Sequence, residues 1–580
     1  MIMSNVTEKT AIVDKKTGPL VEFSINGKRV EVRQGETVLK GAKKAGIYIP
    51  ALCYHPDLEP FGGCRLCIVE IGGARGCPTA CTTPALEGME VQTDTQRLKE
   101  LRRNILEMIL TEHPHACLVC AERGKCGEAH ECSRKAGIAT GCNFCPKNGR
   151  CGIQTVMEHV ELKEITLPLA YKGLSVQRDN PFFDRDYNLC ILCGRCVRAC
   201  QRGVIKFMQR GGLAEIATAP GRSHIEAGCV FCGACVDHCP TGSLIERKRR
   251  WEGKPETQAK TICPFCAVGC EITAGIKNGR VIETLTNAQG CLRGRFCATE
   301  LYDSHKRITV PMIRKHGRLM PVSWDEAISE AAKALKKYSR SRSPLGAKDK
   351  GGAVALIYSA NCSNEDMYVF WKFADTAIGA SVAYSPISAQ QEPFWRKSNE
   401  ENASKRQGYV PENWKQTKFF YLIGEDLPDG VDDAEFVIVQ DMFLPERAGK
   451  IAQVVLPSAG YFEFQGSTTD FEGRVKAFEK AVEPRGGSKP DWWISAQLAS
   501  KLGAEGFDYA SAKDINKEME TNITAGGGGE RRGEADGRPG EGEILPLGPE
   551  LWNFAYRSVR LASQIKGVEK ICKVKGWNRP

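Results

Sequence analysis

Cys190, Cys193, Cys196 and Cys200 are spaced C-x2-C-x2-C-x3-C, and Cys229, Cys232, Cys235 and Cys239 repeat that spacing ahead of Pro240. Three thiolates two residues apart on a tight loop offer three corners of a tetrahedron, and the fourth cysteine of each run reaches the site nucleated by the other. The pattern predicts one [4Fe-4S] cluster on Cys190, Cys193, Cys196 and Cys239, and a second on Cys229, Cys232, Cys235 and Cys200. Structural zinc is the competing chemistry, but a doubled run at this spacing is not the usual zinc arrangement.

Four further groups flank this pair. Cys53, Cys64, Cys67 and Cys81 follow C-x10-C-x2-C-x13-C, which suits a [2Fe-2S] cluster; Cys77 is the rival for the last place. The glycines of Phe61-Gly62-Gly63-Cys64 let the backbone fold closely around sulfide and donate N–H groups to cluster sulfur. His113 lies four residues before Cys117, Cys120 and Cys126, at C-x2-C-x5-C, and one imidazole among three thiolates removes a negative charge from a [4Fe-4S] shell. His115 is its rival. Cys142, Cys145 and Cys151 echo the same spacing, with Cys132 between the two copies. Either His113 joins the first triplet and Cys132 the second, or Cys117, Cys120, Cys126 and Cys132 form one site and His113 joins the second triplet. A four-cysteine shell there accepts zinc as well as iron-sulfur. Finally, Cys263, Cys266, Cys270 and Cys291 form C-x2-C-x3-C-x20-C, a further [4Fe-4S] candidate, with Cys297 competing for the last place. Together these predict one [2Fe-2S] and four to five [4Fe-4S] clusters, with one zinc as the alternative to the fifth.

The elements that must position these ligands can be read between them. Polarity alternates over residues 19–33 around Asn26-Gly27, a pair suited to a type I′ turn, so a hairpin opens the fold. Thr37 caps a helix with Val38, Leu39, Ala42 and Ala45 on its apolar stripe, and Leu98, Leu101, Ile105, Met108 and Ile109 predict a core-facing helix over 96–111. A hairpin around Asn278-Gly279 brings Cys291 back toward Cys263. From about residue 320 the texture changes. Ser323 and Glu326 suit a capping box, and the apolar runs 353–358, 419–423, 436–439 and 454–456 suggest an α/β domain with a parallel sheet. Residues 524–543 are rich in glycine and charge and read as a flexible linker. Cys362 and Cys572 read as plain thiols.

Composition narrows the function classes. The chain has 580 residues and 27 cysteines, and 25 of those lie between Cys53 and Cys297, in a pattern of metal ligation rather than disulfides. With no secretory signal and no long apolar stretch, the expectation is a cytoplasmic protein without a membrane span. Net charge is +10 and spread out, and the run Arg247–Arg250 reads as a solvated or partner-contact face, so nucleic acid is not an expected partner. No G-x-G-x-x-G phosphate loop occurs, which places NAD and flavin on another polypeptide.

The order of these motifs resembles the large iron-sulfur subunit of respiratory complex I (the 75 kDa subunit) and its relatives in NAD-linked hydrogenases and formate dehydrogenases. The resemblance spans about residues 20–505. It rests on C-Y-H-P with C-R-L-C, on H-P-H-A-C-L-V-C, on T-I-C-P-F-C-A-V-G-C with N-A-Q-G-C-L-R-G-R-F, and on R-I-T-V-P-M-I-R, V-S-W-D-E-A and V-V-L-P-S-A-G. It implies an α+β multidomain chain: a β-grasp [2Fe-2S] ferredoxin domain (18–98), a His/Cys-ligated cluster domain (99–165), a two-[4Fe-4S] ferredoxin domain (180–250), a [4Fe-4S] molybdopterin-oxidoreductase head (258–315), a truncated α/β molybdopterin-oxidoreductase-like domain (316–508), and a linker and tail (509–580).

The two-cluster module is similar to that of hydrogenases and formate dehydrogenases and departs from the ordinary complex I subunit. The α/β domain lacks the family's pterin-closing region, and Cys362 aligns upstream of the metal ligand, which implies no molybdopterin. The implied role is an electron-transfer subunit without a catalytic site. It would join a flavin/NAD-binding subunit to a hydrogenase or formate dehydrogenase module, with the [2Fe-2S] domain and the paired clusters as different docking ends. A soluble ferredoxin is a further partner if the complex bifurcates electrons. The alternatives are the 75 kDa-type subunit of a complex I-type NADH dehydrogenase and a molybdenum-dependent formate dehydrogenase catalyst.

Overall fold

The computed structural model describes residues 18–121, 142, 145–220, 222–263, 265, 268–286, 290–339, 354–359, 362–378, 381–384, 417–428, 431, 433–470 and 474–525. The chain forms two compact units, Met1–Lys254 and Pro255–Pro580.

The first unit opens with strands β1 (Leu20–Ile25) and β2 (Lys28–Arg33), paired antiparallel around Asn26 and Gly27, whose φ values of 51° and 79° are those the turn requires. Helix α1 (Val38–Lys44) starts at Thr37, whose hydroxyl accepts from the Lys40 N–H. With β3 (Glu70–Ile71) and β4 (Glu90–Gln92) the sheet order is β2-β1-β4-β3. Phe23, Ile25, Val32, Leu39 and Ala42 pack between helix and sheet, and Cys67 and Cys81 belong to the same core. Gly41 makes this approach possible, since a Cβ there would stand 2.5 Å from the Phe23 ring.

Helix α2 (Gln96–Leu110) falls where the periodicity places it, but its buried face is rotated. Leu98, Arg102, Leu106 and Leu110 point inward, whereas Met108 is 58% exposed. The reason is Arg102, a charged residue in the middle of the inner face, which donates to the carbonyls of Thr93 and Ile68 at 2.8 Å each. Its charge hides the true stripe from an apolar count.

Helix α3 (Gly152–Val160) packs near α2. Strand β5 (Phe183–Arg185), helix α4 (Arg195–Ala199), strands β6 (Lys206–Met208) and β7 (Glu215–Ala217), helix α5 (Ala234–Asp237) and strand β8 (Leu244–Glu246) complete the unit, with β5 paired to β8 and β6 to β7. The basic run after β8 is only partly solvated: Arg247 and Lys248 are exposed. Arg249 is buried, and Arg247 and Arg250 bond the buried Asp184 carboxylate at 2.8 and 3.2 Å.

The second unit begins with an antiparallel sheet of β9 (Thr257–Ile262), β10 (Glu271–Lys277) and β11 (Arg280–Thr286), the last two turning at Asn278-Gly279. Sequence reasoning found the hairpin but not β9, a mostly exposed strand without a run of apolar residues. After helix α6 (Ala298–Tyr302), β12 (Met312–Lys315), β13 (Arg318–Pro321) and helix α7 (Trp324–Ser339) lead into the main domain. Ser323 accepts from the Glu326 N–H at 3.2 Å, while the Glu326 carboxylate pairs with Lys315.

Strands β14 (Val354–Tyr358), β15 (Ser381–Tyr384), β16 (Phe419–Ile423), β17 (Phe436–Asp441) and β18 (Val454–Pro457) are parallel, in a sheet of order β13-β12-β18-β17-β16-β14-β15. Leu356, Tyr421 and Ile438 face a core shared with α7, helix α8 (Asn364–Lys372) and two later helices, while Ile357, Phe420 and Val439 face the opposite core with α9 (Ala448–Ile451). Both faces are covered, as the continuous apolar runs imply. Strands β19 (Gly466–Thr469) and β20 (Val475–Phe478) form a separate hairpin before α10 (Asp491–Leu502) and α11 (Ala512–Ala525). Helix α11 begins inside the stretch assigned to the linker and tail: Ile515 and Met519, one turn apart, pack into the core, so order extends to Ala525. Most of the 524–543 segment and Cys572 lie outside the described residues.

The carboxyl ends of the parallel strands meet a buried polar network. Asp366 accepts from the N–H groups of Ser363 and Trp492 at 3.0 and 2.8 Å, and Asp491 accepts from Gln440 Nε2 and Ser458 Oγ at 2.8 and 2.6 Å. Burial holds both carboxyls above their usual range, and the Asp491 charge adds to the rise at Asp366. A carboxyl raised in the folded state keeps a proton that the unfolded chain gives up. Its stabilising contribution is therefore full at acid pH and lost as pH rises through the raised value. Thermal unfolding of the full chain, followed by tryptophan emission from about pH 5 to pH 8, should show the melting temperature falling with pH. Asp491→Asn, which keeps the Oδ1 acceptor and removes the charge, should flatten that fall; parallel curves would show that the pair does not titrate as described.

Candidate metal centres

Four thiols converge beside the first sheet. Cys53 and Cys64 bond each other, Cys67 bonds Cys81, and Cys81 also bonds Cys53. Backbone donors surround them: the N–H groups of Leu52 and Cys53 point at Cys64 Sγ at 3.4 and 3.5 Å, and the Cys64 N–H points at Cys53 Sγ at 3.5 Å. Gly62, at a φ of 67°, donates its N–H to Cys81. Cys77 stands outside this set of thiol contacts. A shell of four thiols already met by N–H donors fits a cluster whose sulfur needs the same donors.

At the end of α2, His113 is 6% exposed and its Nδ1 is buried without a partner. Burial pushes this imidazole down to about 4, so it is neutral and one of its two nitrogens carries a lone pair that can bind a metal. His115, the rival, has its Nδ1 2.9 Å from the Leu110 carbonyl. The two cysteine triplets adjoin: the thiols of Cys142 and Cys117 bond each other, and Cys142 also feels Cys145 and Cys151. Cys151 stands at the N-cap position of α3 without a side-chain capping bond; burial raises its thiol, and the nearby N–H groups of Gln154 and Ile153 oppose that rise. Cys120 is half-buried near its neighbours in sequence, and Cys126 and Cys132 lie outside the described residues.

The central pair of loops is duplicated in three dimensions as it is in sequence. Leu192 and Phe231 occupy the left-handed region at φ of 52° and 54°, and Gly194 and Gly233 follow at 66° and 81°, each opening a short helix. The tight turns aim N–H groups at sulfur, from Leu192 to Cys190, from Phe231 to Cys229 at 3.4 Å, from Arg195 to Cys193 and from Ala234 to Cys232. The crossed grouping is brought together as well. Cys190, Cys193, Cys196 and Cys239 line one cavity, and Cys200 interacts with Cys229 and Cys232.

Other groups of the first unit crowd around the cavity set. On one side the Arg195 guanidinium interacts with Cys193, Cys53, Cys239 and Cys64, with its Nε buried and unpartnered. Arg198 donates to the carbonyls of Cys53 and Glu59, Phe61 stacks on Phe207 at 5.8 Å, and the His55 and His238 rings meet edge to face at 4.4 Å. On a second side the Gly152 N–H donates to the Pro240 carbonyl at 2.8 Å, a Cβ on Gly242 would stand 2.5 Å from Cys145 Sγ, and Lys147 interacts with both Cys239 and Cys151. Between the two duplicated loops, buried Arg185 interacts with Cys235 and Cys196. The [2Fe-2S] candidate thus abuts one of the paired sets, which differs from the separate docking ends expected from sequence. Arg195, Lys147 and Arg185 were missed. The one readable signal is the mismatch between repeats at the position before the third cysteine, Arg195 in the first and Ala234 in the second.

In the second unit, Cys263 donates its N–H to the Cys270 carbonyl at 2.9 Å, and Gly294, in the turn that starts at Cys291, would place a Cβ 3.2 Å from Cys263 Sγ. Cys291 is half-buried, and Cys297 is fully buried beside α6. Cys266 lies outside the described residues. Cys362 is buried in the main core, as a plain thiol would be.

Family models match this series of centres: a 2Fe-2S iron-sulfur cluster binding domain over residues 18–96, the NADH-ubiquinone oxidoreductase-G iron-sulfur binding region over 102–127, and a 4Fe-4S dicluster domain over 189–243. The molybdopterin oxidoreductase Fe4S4 domain matches 256–303, and molybdopterin oxidoreductase matches 307–432 and 396–501. A G-type NADH-quinone oxidoreductase subunit of Rhizobium meliloti is 32% identical over 372 residues, 62% of this chain and 39% of that protein. The matched region is homologous to the G-type subunits of NADH-quinone oxidoreductase.

This chain is also 32% identical over 372 residues to NADPH-Fe(3+) oxidoreductase subunit alpha of Geobacter sulfurreducens, again 62% of this chain and 39% of the relative. The G-type NADH-quinone oxidoreductase subunit of Streptomyces coelicolor is 28% identical over 378 residues, 62% and 40% of the two chains. The chain therefore spans 39% to 40% of the length of these relatives. A chain of an NAD+-reducing [NiFe]-hydrogenase in the H2-reduced state aligns at 26% identity over 39% of this chain and 87% of that one, but a TM-score of 0.31 is too low to carry an argument.

If His113 binds a metal, His113→Ala should alter one [4Fe-4S] EPR signal and leave the [2Fe-2S] signal intact, while His115→Ala does less because its Nδ1 faces a carbonyl. The reverse order would reassign the ligand, and no effect from either would remove histidine from the shell.

Proposed function

We propose that this chain is an iron-sulfur relay subunit. It connects a flavin- and NAD(H)-binding subunit to a module that oxidises or produces a small reduced substrate, H2 or formate, with a soluble ferredoxin as a third partner if the complex bifurcates electrons. The observation that carries the reading is the crowding of three other cysteine groups around Cys190, Cys193, Cys196 and Cys239 within one compact unit. A series of metal centres in mutual contact suits passage of electrons, whereas a single structural site needs no neighbours.

The proposed holders are Cys53, Cys64, Cys67 and Cys81 for a [2Fe-2S] cluster, the two crossed central sets for two [4Fe-4S] clusters, Cys263, Cys266, Cys270 and Cys291 for another, and His113 with the two triplets for the rest. Bound clusters supply one-electron exchange. The chain itself supplies N–H donors that offset thiolate charge, cations at the junctions and loops that keep the groups adjacent. The relatives' names, an NADH-quinone and an NADPH-Fe(3+) oxidoreductase subunit, support a nicotinamide-linked partner. The two-cluster module, similar to that of hydrogenases and formate dehydrogenases, supports the other one. Among the described residues no helix is long and apolar enough to cross a membrane.

The molybdopterin oxidoreductase match favours one second reading, a pterin-metal catalyst in the α/β domain. Open parallel sheets bind ligands outside the carboxyl ends of their strands. Here Asp366, Ser458 and Gln440 are buried, Asp491 is half-buried, and all four are bonded to one another or to backbone at those ends, so we propose that this domain holds no molybdopterin. Purification of the native complex tests both points. The chain should co-purify with a flavin protein and a hydrogenase or formate dehydrogenase, and metal analysis of the separated chain should find iron without molybdenum, tungsten or pterin. A lone polypeptide that oxidises H2, formate or NADH unaided would overturn the relay reading, and stoichiometric pterin in this chain would establish the catalytic one.

A further inference from the structure

We propose that His55, Asp57 and His238 form a binding site for a divalent transition-metal ion, wedged between the Cys53–Cys81 group and the central cysteine set. One ligand atom from each of the three residues lies within 4.8 Å of the other two. His55 Nδ1 is 3.5 Å from Asp57 Oδ2, and the His55 and His238 rings meet edge to face with centroids 4.4 Å apart. The three come from two loops, His55 two residues after Cys53 and His238 directly before Cys239.

The state of His238 carries the argument. Its Nδ1 lies 2.8 Å from the Ala234 carbonyl oxygen, which can only accept, so the proton sits on Nδ1 and the lone pair on Nε2. That Nε2 is buried and has no partner. A backbone carbonyl holding Nδ1–H while Nε2 is left bare is the orientation seen for metal-binding histidines, where the carbonyl fixes the tautomer and raises the basicity of the free nitrogen.

His55 and Asp57 complete the donor set. The Asp57 side chain is 73% exposed and that of His55 28%, so both can move inward. Tetrahedral coordination at bonds of about 2.0–2.1 Å needs ligand atoms about 3.3–3.5 Å apart, a contraction of up to about 1.4 Å. Two imidazoles and a carboxylate suit Zn2+, Co2+ or Ni2+ rather than Mg2+ or Ca2+, and the exposed side leaves a coordination position to water. Lys43 and Arg195 act on His55 and oppose a cation. Asp57 favours one.

The test uses the cluster-loaded full chain, whose cluster-ligating thiols are occupied and do not compete for added metal. Zn2+ is titrated by calorimetry, and Co2+ by its visible d–d absorption, with iron measured in the same samples. One equivalent should bind, and His55→Gln and His238→Gln should each weaken binding by about 10-fold or more with iron content unchanged. Because the variants lie on different loops, loss of iron in one leaves the other informative. Binding of undiminished strength in either iron-replete variant overturns the shared site, as does an iron-replete wild type that binds no Zn2+. A chain that takes up no iron would instead count against the relay reading, so the two failures are told apart.

Discussion

Thiolates set close together repel, and burial removes the water that would screen them. Every arrangement in the first unit answers that constraint. The tight turns at Leu192 and Phe231 exist to aim N–H groups at sulfur, and the left-handed backbone they need is matched by Gly194 and Gly233. Gly194 could not carry a side chain even in a relaxed conformation, because Phe207 would lie 2.9 Å from its Cβ. Where two groups meet, N–H donors are joined by a basic side chain: Arg195 toward Cys53 and Cys64, Arg185 toward Cys235, and Lys147 toward Cys239 and Cys151, where burial lowers the ammonium and the two cysteines oppose that fall. The cations make adjacency tolerable, and adjacency is what an electron relay needs.

Buried charge is handled differently in the α/β domain. Arg307 and Glu463 form a buried two-point ion pair at 2.6 and 2.7 Å, while Asp366 and Asp491 share a region without a cation among their bonded partners. Protonation offsets the second case, which makes this domain sensitive to pH in a way that the first is not. The same polar network stands at the carboxyl ends of the parallel strands.

Cysteine spacing made the cysteine groupings legible because short loops constrain directly where their side chains meet. The crossed grouping of Cys239 and Cys200 follows from the repeat alone, and Asn-Gly pairs located the β1–β2 and β10–β11 hairpins. Reading failed where a polar residue does a core residue's work. Arg102 rotated the apparent face of α2, Arg249 is buried within an apparently solvated basic run, and Ile515 and Met519 are too sparse to announce α11 against the glycine-rich segment that follows. The junction cations escaped for a related reason: a lysine or arginine beside a cysteine in sequence gives no sign of which other thiols it faces across the fold. His238, one residue from a predicted ligand, looks like any loop histidine until its Nδ1 is seen to face a carbonyl.

The central claim is that the Cys53–Cys81 group and the Cys190/Cys193/Cys196/Cys239 set are immediate neighbours that exchange electrons. Low-temperature EPR of the reduced, cluster-loaded chain tests it through the spin relaxation of the [2Fe-2S] signal. The account predicts relaxation accelerated by a nearby paramagnet, and a return to isolated behaviour in Cys193→Ser when iron analysis shows that only the central set is depleted. A [2Fe-2S] signal that relaxes as an isolated centre in the fully loaded, fully reduced wild type would contradict it.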